Sequence, residues 1–330
     1  MKDQSPRLTI SARHEVWPLK NPFVISRGAK TAANVVVATV SDGTYSGSGE
    51  AVPYARYGET VEGVIAAIEG AQFYDRANLQ KQLPPGAARN ALDCALWDLE
   101  AKQRQTTVAS QAGVSVLKPL LTAFTLSLGA PADMAAAARA VPHLPLLKLK
   151  LGGEGDPERM LAVRAARPDA RIMADANEAW TLDMLLPFLQ AATDAHVELI
   201  EQPLPADNDG ALLGLPWPHA IAICADESVH TAADLANLGH RYSAVNIKLD
   251  KAGGLTAACD LVRAARSQNF KVMIGSMVAS SLAVAPAFIL AQHADWVDLD
   301  GPLLLAQDRA PGFSIHNGMM SPPASGLWGA

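Results

Sequence analysis

Three carboxylates, Asp175, Glu201 and Asp226, end three consecutive apolar runs of the chain and are separated by 26 and 25 residues. If these runs are neighbouring parallel strands, the side chains converge at one end of the sheet. Carboxylates packed in a low-dielectric site repel one another, so bound protons or a cation must accompany them. All-oxygen ligands without an aligned Cys or His favour a hard divalent ion, and the spacing predicts a Mg²⁺ site. Capping of the following helices is the alternative, and the repetition at one strand position counts against it.

Three lysines end runs of the same kind. Lys148 and Lys150 are two residues apart, so on a strand both face one side, which we predict to be the interior. Lys248 ends a run four strands further along and would approach from the opposite wall. A nearby cation and desolvation would lower the pKa of such lysines towards a range suited to proton transfer. For Lys148, an ion pair with a metal carboxylate and stabilisation of a substrate oxyanion both stay open.

A divalent cation with a base on each side favours one reaction, the removal of a proton α to a carboxylate. The metal would bind the carboxylate as a Lewis acid and stabilise an enediolate while one lysine takes the proton. A second lysine can return a proton to the other face. The predicted outcome is a 1,1-proton transfer, which is racemisation or epimerisation, and loss of a β-leaving group is the other outcome open to the same intermediate.

The elements that must position these residues follow from a repeated spacing. Eight short apolar runs start 24, 25, 26, 24, 22, 28 and 24 residues apart, near Thr122, Leu146, Arg171, Val197, Ile221, Ser243, Lys271 and Asp295. Helical text rich in Ala, Leu and Arg separates them, and eight such units predict a closed parallel barrel over residues 115–305. A solenoid is the alternative, but the linking segments share no consensus.

The first third of the chain has a different pattern. Residues 7–19 and 33–52 contain short β-branched stretches with a hairpin signal at Asp42-Gly43, and residues 87–102 have the periodicity of an amphipathic helix. Strands followed by helices predict an α+β domain over residues 1–114. The Pro- and Gly-rich segment 306–330 is expected to return over this domain and join it.

Composition excludes several classes of partner. The 330 residues are 49% hydrophobic and 18% charged, with a net charge of −6 and no Lys/Arg-rich run, so no nucleic acid is expected. The longest apolar stretch, residues 277–291, is interrupted by two serines and Pro286, so no membrane span is expected. Three cysteines are too few for a disulfide framework, which favours a cytoplasmic protein. A homo-oligomer is left open.

Several motifs resemble the enolase superfamily in its muconate-lactonizing-enzyme-like branch: KLK, MADANE, IEQP, CADES and NIKLDKAGG. The resemblance covers essentially the whole chain. It implies a TIM-like (β/α)₇β barrel, of class α/β, with an N-terminal α+β capping domain. Within the superfamily the chain is most similar to the L-Ala-D/L-Glu epimerases, through Asp298-Leu299-Asp300 and the cap segments PFVISRG and PYARYGET.

The resemblance also implies roles for single residues. Asp175, Glu201 and Asp226 would bind Mg²⁺, Lys150 and Lys248 would be the two acid/base catalysts, and Lys148 would help to stabilise the enediolate. The substrate contacts would be Asp298 and Asp300 to the dipeptide ammonium, Arg27 to a carboxylate of the Glu moiety and Thr125 as a hydrogen-bonding residue.

The implied function is Mg²⁺-dependent epimerisation of L-Ala-D/L-Glu in the recycling of murein peptides, with a small-molecule dipeptide as substrate. A cycloisomerase or an o-succinylbenzoate synthase on the same barrel is an alternative, although its substrate has no ammonium for Asp298 and Asp300. A non-catalytic metal-binding scaffold is another. Two positions depart from relatives: Lys251 replaces an arginine found in some of them, and Ala279 stands where glutamate is often found, which leaves the strand-seven wall of the specificity pocket undefined.

Overall fold

The computed structural model describes residues 8–215 and 220–329. Its N-terminal part is an antiparallel sheet of three strands, β1 (Thr9–Ile25), β2 (Gly28–Ser41) and β3 (Ser46–Ala51). β2 and β3 are joined by the predicted turn at Asp42-Gly43, in which the Asp42 carboxylate accepts the backbone N–H of Thr44 at 2.7 Å. Gly43 has a φ of 94°, which residues with a side chain rarely adopt.

Four helices follow the sheet: α1 (Val61–Glu69), α2 (Arg76–Gln82), α3 (Ala87–Gln103) and α4 (Val108–Gln111). The helix predicted over residues 87–102 is therefore confirmed to within one residue. α3 lies directly on β3, because Gly47 and Gly49 have no side chains to hold the two backbones apart. The sheet and these helices form the cap.

The second part is a nearly closed barrel of eight parallel strands in sequential order. A short strand, β4 (Leu120–Leu121), precedes it. The barrel strands are β5 (Phe124–Leu126), β6 (Leu146–Lys150), β7 (Arg171–Asp175), β8 (Val197–Glu201), β9 (Ala222–Ala225), β10 (Ala244–Ile247), β11 (Lys271–Gly275) and β12 (Trp296–Asp298). The backbone N–H of Ala123 donates to the carbonyl of Val297 at 2.9 Å, which brings the first and last strands together. The predicted barrel is confirmed at all eight runs.

The helices between and after the barrel strands are less regular than predicted. They are α5 (Pro131–Arg139), α6 (Asp156–Ala166), α7 (Leu182–Asp194), α8 (Leu249–Ala252), α9 (Leu255–Ser267), α10 (Ser281–Leu290) and α11 (Gly301–Leu304). In the described parts of the connections β8–β9 and β9–β10, only 3₁₀ turns occur, at Gly210–Leu212 and Asp234–Asn237. The β9–β10 connection is also the shortest of the intervals between barrel strands.

Apolar side chains fill the amino-terminal half of the barrel. One buried cluster takes a residue from each of several strands: Ala123, Leu146, Met173, Leu199, Ala222, Cys224, Ala244, Met273 and Trp296. The charged residues predicted to form the site lie beyond this apolar cluster, at the carboxyl ends of the strands. All three cysteines, Cys94, Cys224 and Cys259, are free thiols.

The segment after residue 306 contacts both parts of the molecule. Strands β13 (Ile315–His316) and β14 (Met319–Met320) extend β4 at the amino-terminal end of the barrel. Further on, the Trp328 indole N–H donates to the Ser48 carbonyl at 2.8 Å. The tail therefore first covers the barrel and then contacts the cap near its end. The described residues contain no helix long and apolar enough to cross a bilayer.

The close contact between β3 and α3 can be tested with Gly49→Ala. An added Cβ would lie 2.2 Å from the Ala91 carbonyl oxygen and 2.8 Å from the Ala95 nitrogen, and these backbone atoms cannot rotate away. We expect a free energy of unfolding lower by about 1–3 kcal/mol, measured by urea denaturation. The control is Gly239→Ala, where an added Cβ meets nothing within 4 Å and the change should stay within about 0.5 kcal/mol. A Gly49→Ala protein as stable as the control would contradict this packing.

Candidate active site

The parallel register brings the predicted charged residues together at the carboxyl ends of the strands. Lys150 pairs with Asp175 across β6 and β7, and Asp175 pairs with Glu201 across β7 and β8. Successive positions on β6 are all buried, so both Lys148 and Lys150 are enclosed by the barrel and its cap. Each of the six predicted metal and lysine residues is at most 7% exposed.

Lys148 lies at the centre of the carboxylates. Its ammonium nitrogen is 2.6 Å from Glu201 Oε2, 2.7 Å from Asp298 Oδ2 and 3.3 Å from Asp175 Oδ2. Of the two interpretations left open for this lysine, the described contacts are those of the ion pair with carboxylates. Only 1% of the side chain is exposed, and among the described residues its ion-pair partners are these three carboxylates.

The other lysines each face one carboxylate at hydrogen-bond distance. Lys150 Nζ is 2.6 Å from Asp175 Oδ2, and Lys248 Nζ is 2.7 Å from Asp226 Oδ2. Lys251 Nζ binds the second oxygen of Asp226 at 2.5 Å. Lys251, which replaces the arginine found in some relatives, therefore has a carboxylate partner.

The lysines divide the carboxylates into two groups by pKa. Burial raises the pKa of Asp175 and of Asp226, but the neighbouring lysines outweigh burial and hold both values well below the usual range. Glu201 differs, because burial and the charge of Asp175 raise its pKa to about 7. Of the three carboxylates, Glu201 is therefore the one whose ionised form is least stabilised by its surroundings.

The pKa values of two of the site lysines are shifted upwards. Burial lowers the pKa of Lys148 and Lys248, but Asp298 and Glu201 around the first and Asp226 beside the second raise both values well above normal. The predicted lowering applies to a site whose carboxylate charge is shared with a dication, and it stays a prediction.

The oxygen atoms of the site are suitable ligands for a hard cation, although they do not form a complete coordination shell. Within residues 8–215 and 220–329, no three His, Cys, Asp or Glu side chains form a ready metal cluster, because lysine ammonium groups lie between the carboxylates. Within the described part of the chain, Asn177 Oδ1 is buried without a hydrogen-bond donor, and the Lys148 ammonium, 2.6 Å from the buried Glu201 Oε2, is not aligned for a hydrogen bond. Buried oxygen atoms without a donor are what an oxygen-seeking ion would use.

A cavity of about 880 Å³ lies between the barrel and the cap. The barrel contributes Lys150, Asp226 and Lys248 to its wall, and the cap contributes Arg27 and Tyr54 among others. Arg27 comes from the β1–β2 turn, and its guanidinium donates to Glu227 Oε1 at 2.8 Å and to the Asn177 carbonyl at 3.0 Å. The structure thus places Arg27 at the cavity, already bound to barrel acceptors.

Asp298 and Asp300 are both buried, but their oxygens are partly used. Asp298 Oδ2 faces Lys148, and Asp300 Oδ2 accepts the backbone N–H of Thr125 at 2.6 Å. Burial and the charge of Asp298 raise the pKa of Asp300 to about 7. Thr125 therefore contacts the aspartate pair through its backbone, whereas the sequence suggested a hydrogen bond from Thr125 to the substrate.

Sequence reasoning missed Asn246 and Glu227. The Asn246 amide donates to Glu201 Oε1 at 2.6 Å, and its position two residues before Lys248 on one strand was an available signal. Glu227 follows Asp226 and holds Arg27, a contact that no spacing in the sequence indicates. Ala279, expected near the specificity pocket, is instead 1% exposed and packs in a cap–barrel cluster with Val35. The strand-seven wall consists of residues 276–278.

The fold and the site together define a capped parallel barrel with a lysine–carboxylate site at the carboxyl ends of its strands. Residues 7–113 match the mandelate racemase / muconate lactonizing enzyme N-terminal domain, and residues 132–327 match the family described as enolase C-terminal domain-like. The chain belongs to the enolase superfamily.

Two curated relatives match nearly the whole chain. The L-Ala-D/L-Glu epimerase of Escherichia coli (strain K12) is 44% identical over 317 residues, which are 94% of this chain and 98% of the relative. The N-acetyl-D-glutamate racemase of a Pseudoalteromonas species is 45% identical over 303 residues, which are 89% of this chain and 95% of the relative.

Solved structures show the same architecture. An enolase family member from Agrobacterium tumefaciens, with homology to dipeptide epimerases and with bound sodium and L-Ala-L-Glu, has a TM-score of 0.93 at 47% identity, covering 98% of this chain and 100% of that one. The dipeptide epimerase of Methylococcus capsulatus, complexed with Mg and L-Arg-D-Lys, has a TM-score of 0.89 at 29% identity, covering 98% and 99%.

The central ion pairs predict a large effect of Lys148→Met on stability. Removal of the ammonium leaves Glu201 and Asp298 buried without their partner, which we expect to lower the free energy of unfolding by about 3–5 kcal/mol in buffer with EDTA. The control is Lys81→Met, on an exposed position of α2, with an expected change within about 0.5 kcal/mol. Chemical denaturation followed by circular dichroism measures both. A loss in Lys148→Met no larger than in the control would contradict the central role of Lys148.

Proposed function

We propose that the protein is a Mg²⁺-dependent isomerase that epimerises L-Ala-D/L-Glu by 1,1-proton transfer at the α-carbon of the Glu residue. One observation carries the proposal: Lys150 and Lys248, from strands on different sides of the barrel, line one cavity under the cap. Two bases that reach a single cavity provide what inversion at one carbon needs, since one removes a proton and the other returns it.

Asp175, Glu201 and Asp226 are the residues that would hold Mg²⁺. Their oxygens are of the type that Mg²⁺ prefers, and the raised pKa of Glu201 supports the choice of a site that gains from positive charge. Bound there, Mg²⁺ would supply a Lewis acid for a substrate carboxylate. The solved dipeptide epimerase complexed with Mg supports this choice of ion.

The lysines divide the proton transfers between them. The Nζ of Lys150 would accept the α-proton from one diastereomer, and the Nζ of Lys248 would donate a proton to the opposite face. In the reverse direction the roles exchange. Lys148, which is held between Glu201 and Asp298, would keep its proton and stabilise negative charge on the substrate as the α-proton leaves.

The cap and the last strand would bind the two ends of the dipeptide. Arg27 would bind the distal carboxylate of the Glu moiety, in exchange for its present contact with Glu227. Asp298 and Asp300 would accept hydrogen bonds from the α-ammonium, and Thr125 would help by holding Asp300 in place. An L-Ala-Glu substrate of this kind is a peptide recovered from cell-wall material, so the reaction would serve murein recycling in the cytoplasm.

A second candidate substrate is an N-acylated glutamate, and one observation favours it. Asp298 Oδ2 is already paired with Lys148, and Asp300 has a pKa of about 7, so the aspartate pair binds an ammonium less strongly than two free carboxylates would. An N-acyl group carries no ammonium, and a relative of 45% identity is named N-acetyl-D-glutamate racemase.

Exchange in D₂O tests the two-base scheme. Wild-type protein with Mg²⁺ should incorporate deuterium at the Glu α-carbon of L-Ala-L-Glu and L-Ala-D-Glu, as followed by proton NMR. Lys150→Ala and Lys248→Ala should each lower epimerisation by about 10²–10⁴-fold, because each lacks one acid/base group, while each still exchanges one diastereomer.

The control for these variants is Lys271→Ala. Lys271 begins β11 at the opposite end of the barrel, and this change should leave epimerisation intact. Normal epimerisation by either site variant would refute the two-base scheme. A wild type that neither exchanges nor epimerises these dipeptides would refute the proposed function and return the cycloisomerase and scaffold alternatives to first place.

Asp300→Asn separates the two candidate substrates. Asparagine keeps an oxygen for the Thr125 N–H but loses the charge, so kcat/KM for L-Ala-L-Glu should fall about 10- to 100-fold, as expected for a lost hydrogen bond to a charged group. The kcat/KM for N-acetylglutamate, if it is a substrate, should hardly change. Asp207→Asn, at an exposed position, is the control for loss of one negative charge. An equal loss with both substrates would contradict the ammonium-binding role of Asp300.

A further inference from the structure

A second polar cluster, which the proposed reaction does not use, lies behind β8 and β9. We call it the Asp209 network, and it consists of Gln202, Asp209, Ser228 and Tyr242. Gln202 and Asp209 are at most 2% exposed, and Tyr242 is 5% exposed. Gln202 directly follows Glu201, and Ser228 is two residues after Asp226, so the network adjoins two of the three proposed metal ligands.

The Asp209 carboxylate sets the direction of the hydrogen bonds. Oδ2 accepts from the Ser228 hydroxyl at 2.7 Å and from the Tyr242 hydroxyl at 2.7 Å, while Arg241 donates to Oδ1. An ionised carboxylate can only accept, so both hydroxyl protons are directed to it. Each hydroxyl oxygen is then left as an acceptor for another donor.

That donor is the side-chain amide of Gln202. Its Nε2 is 2.9 Å from both hydroxyl oxygens and 2.9 Å from the Leu204 carbonyl. All these atoms accept, so the NH₂ group must face them and the amide cannot rotate by 180° without facing donors or acceptors of the wrong kind. The orientation of Gln202 therefore follows from the charge of Asp209.

The amide oxygen of Gln202 is consequently directed at the loop after β9. Oε1 accepts the backbone N–H of Asp226 at 2.9 Å and that of Ser228 at 3.1 Å. The backbone of Gln202 has a φ of 34°, a conformation that needs support from its surroundings. The Gln202 side chain thus fixes the backbone that carries Asp226. Gln202 itself directly follows Glu201 in the chain.

We infer that the Asp209 network positions the metal ligand Asp226 by fixing the orientation of the Gln202 amide. The inference deepens the proposed function and rests on it. Asp209, Ser228 and Tyr242 are positioning residues, because they act through Gln202 and contact neither substrate nor metal. Groups that orient metal ligands from outside the ligand shell typically change metal affinity 10- to 100-fold when they are altered, so about this loss is expected here.

The test uses Asp209→Asn and Tyr242→Phe. An asparagine can donate, so in Asp209→Asn the hydroxyls and the Gln202 amide are free to reverse. Tyr242→Phe keeps the Asp209 charge and removes the hydroxyl that joins Asp209 to the Gln202 amide. The matched control is Asp98→Asn: Asp98 is also 2% exposed and also accepts several hydrogen bonds, including the Ser48 N–H at 3.0 Å, but it joins the cap to the tail.

Two measurements are made on each full-length protein: the Mg²⁺ dissociation constant by calorimetry, and hydrogen exchange of the peptide that contains Asp226, without metal. We expect Mg²⁺ binding weaker by about 10- to 100-fold in Asp209→Asn, a smaller loss in Tyr242→Phe, and lost protection of the Asp226 peptide in both. Asp98→Asn should unfold more easily but keep wild-type values in both measurements.

Each outcome either supports or contradicts the positioning role of the Asp209 network. If wild type binds Mg²⁺ and both network variants bind it equally well, the inference fails and the proposed function stands. The inference also fails if Asp98→Asn weakens Mg²⁺ binding as much as Asp209→Asn does. If Asp209→Asn does not fold, Tyr242→Phe decides. A wild type that does not bind Mg²⁺ overturns the proposed function together with the inference.

Discussion

Neutralisation of buried negative charge is the constraint on which the rest of this structure depends. Asp175, Glu201, Asp226 and Asp298 come to one end of the barrel, where almost no water reaches them. Isolated buried carboxylates are costly enough to take up protons, and buried charges persist only with partners. Lys148, with three carboxylates within 3.3 Å, is the partner at the centre of the described structure.

The fold enforces this crowding and also makes it useful. The buried apolar cluster fills the barrel on the amino-terminal side of the site, and the cap lies over its carboxyl-terminal side. The charged side chains of the site therefore interact in a medium less polar than water. Among the three proposed metal ligands, Glu201 is the one whose pKa is raised, to about 7, because burial and the charge of Asp175 disfavour its ionised form. Buried carboxylates without a cation destabilise the site, and for the same reason they would give it affinity for a dication.

Contacts between the cap and the barrel extend the site beyond the strand ends. Arg27 reaches from the β1–β2 turn to Glu227, and buried Asp250 accepts the Val52 N–H at 2.9 Å and the Asn90 amide at 2.9 Å. Asp209 and Gln202, in the loop after β8, connect this loop to the loop after β9, which carries Asp226. None of these contacts is local in sequence, and none has a spacing by which it could be recognised.

The sequence by itself determined the barrel, the cap and the central charged residues. A strand period near 25 residues and the alternation of side chains on each strand are local regularities, and they sufficed to place Lys148, Lys150, Asp175, Glu201, Asp226 and Lys248 at one end of a parallel sheet. Only the tertiary structure decided which partners these residues have. Lys148 pairs with Asp298 across the barrel closure, Arg27 pairs with Glu227, and Ala279 lies in a cap–barrel cluster and does not line the cavity. The physical reason is that periodicity specifies which face a side chain takes, whereas hydrogen bonds and pKa values depend on distances between segments far apart in the chain.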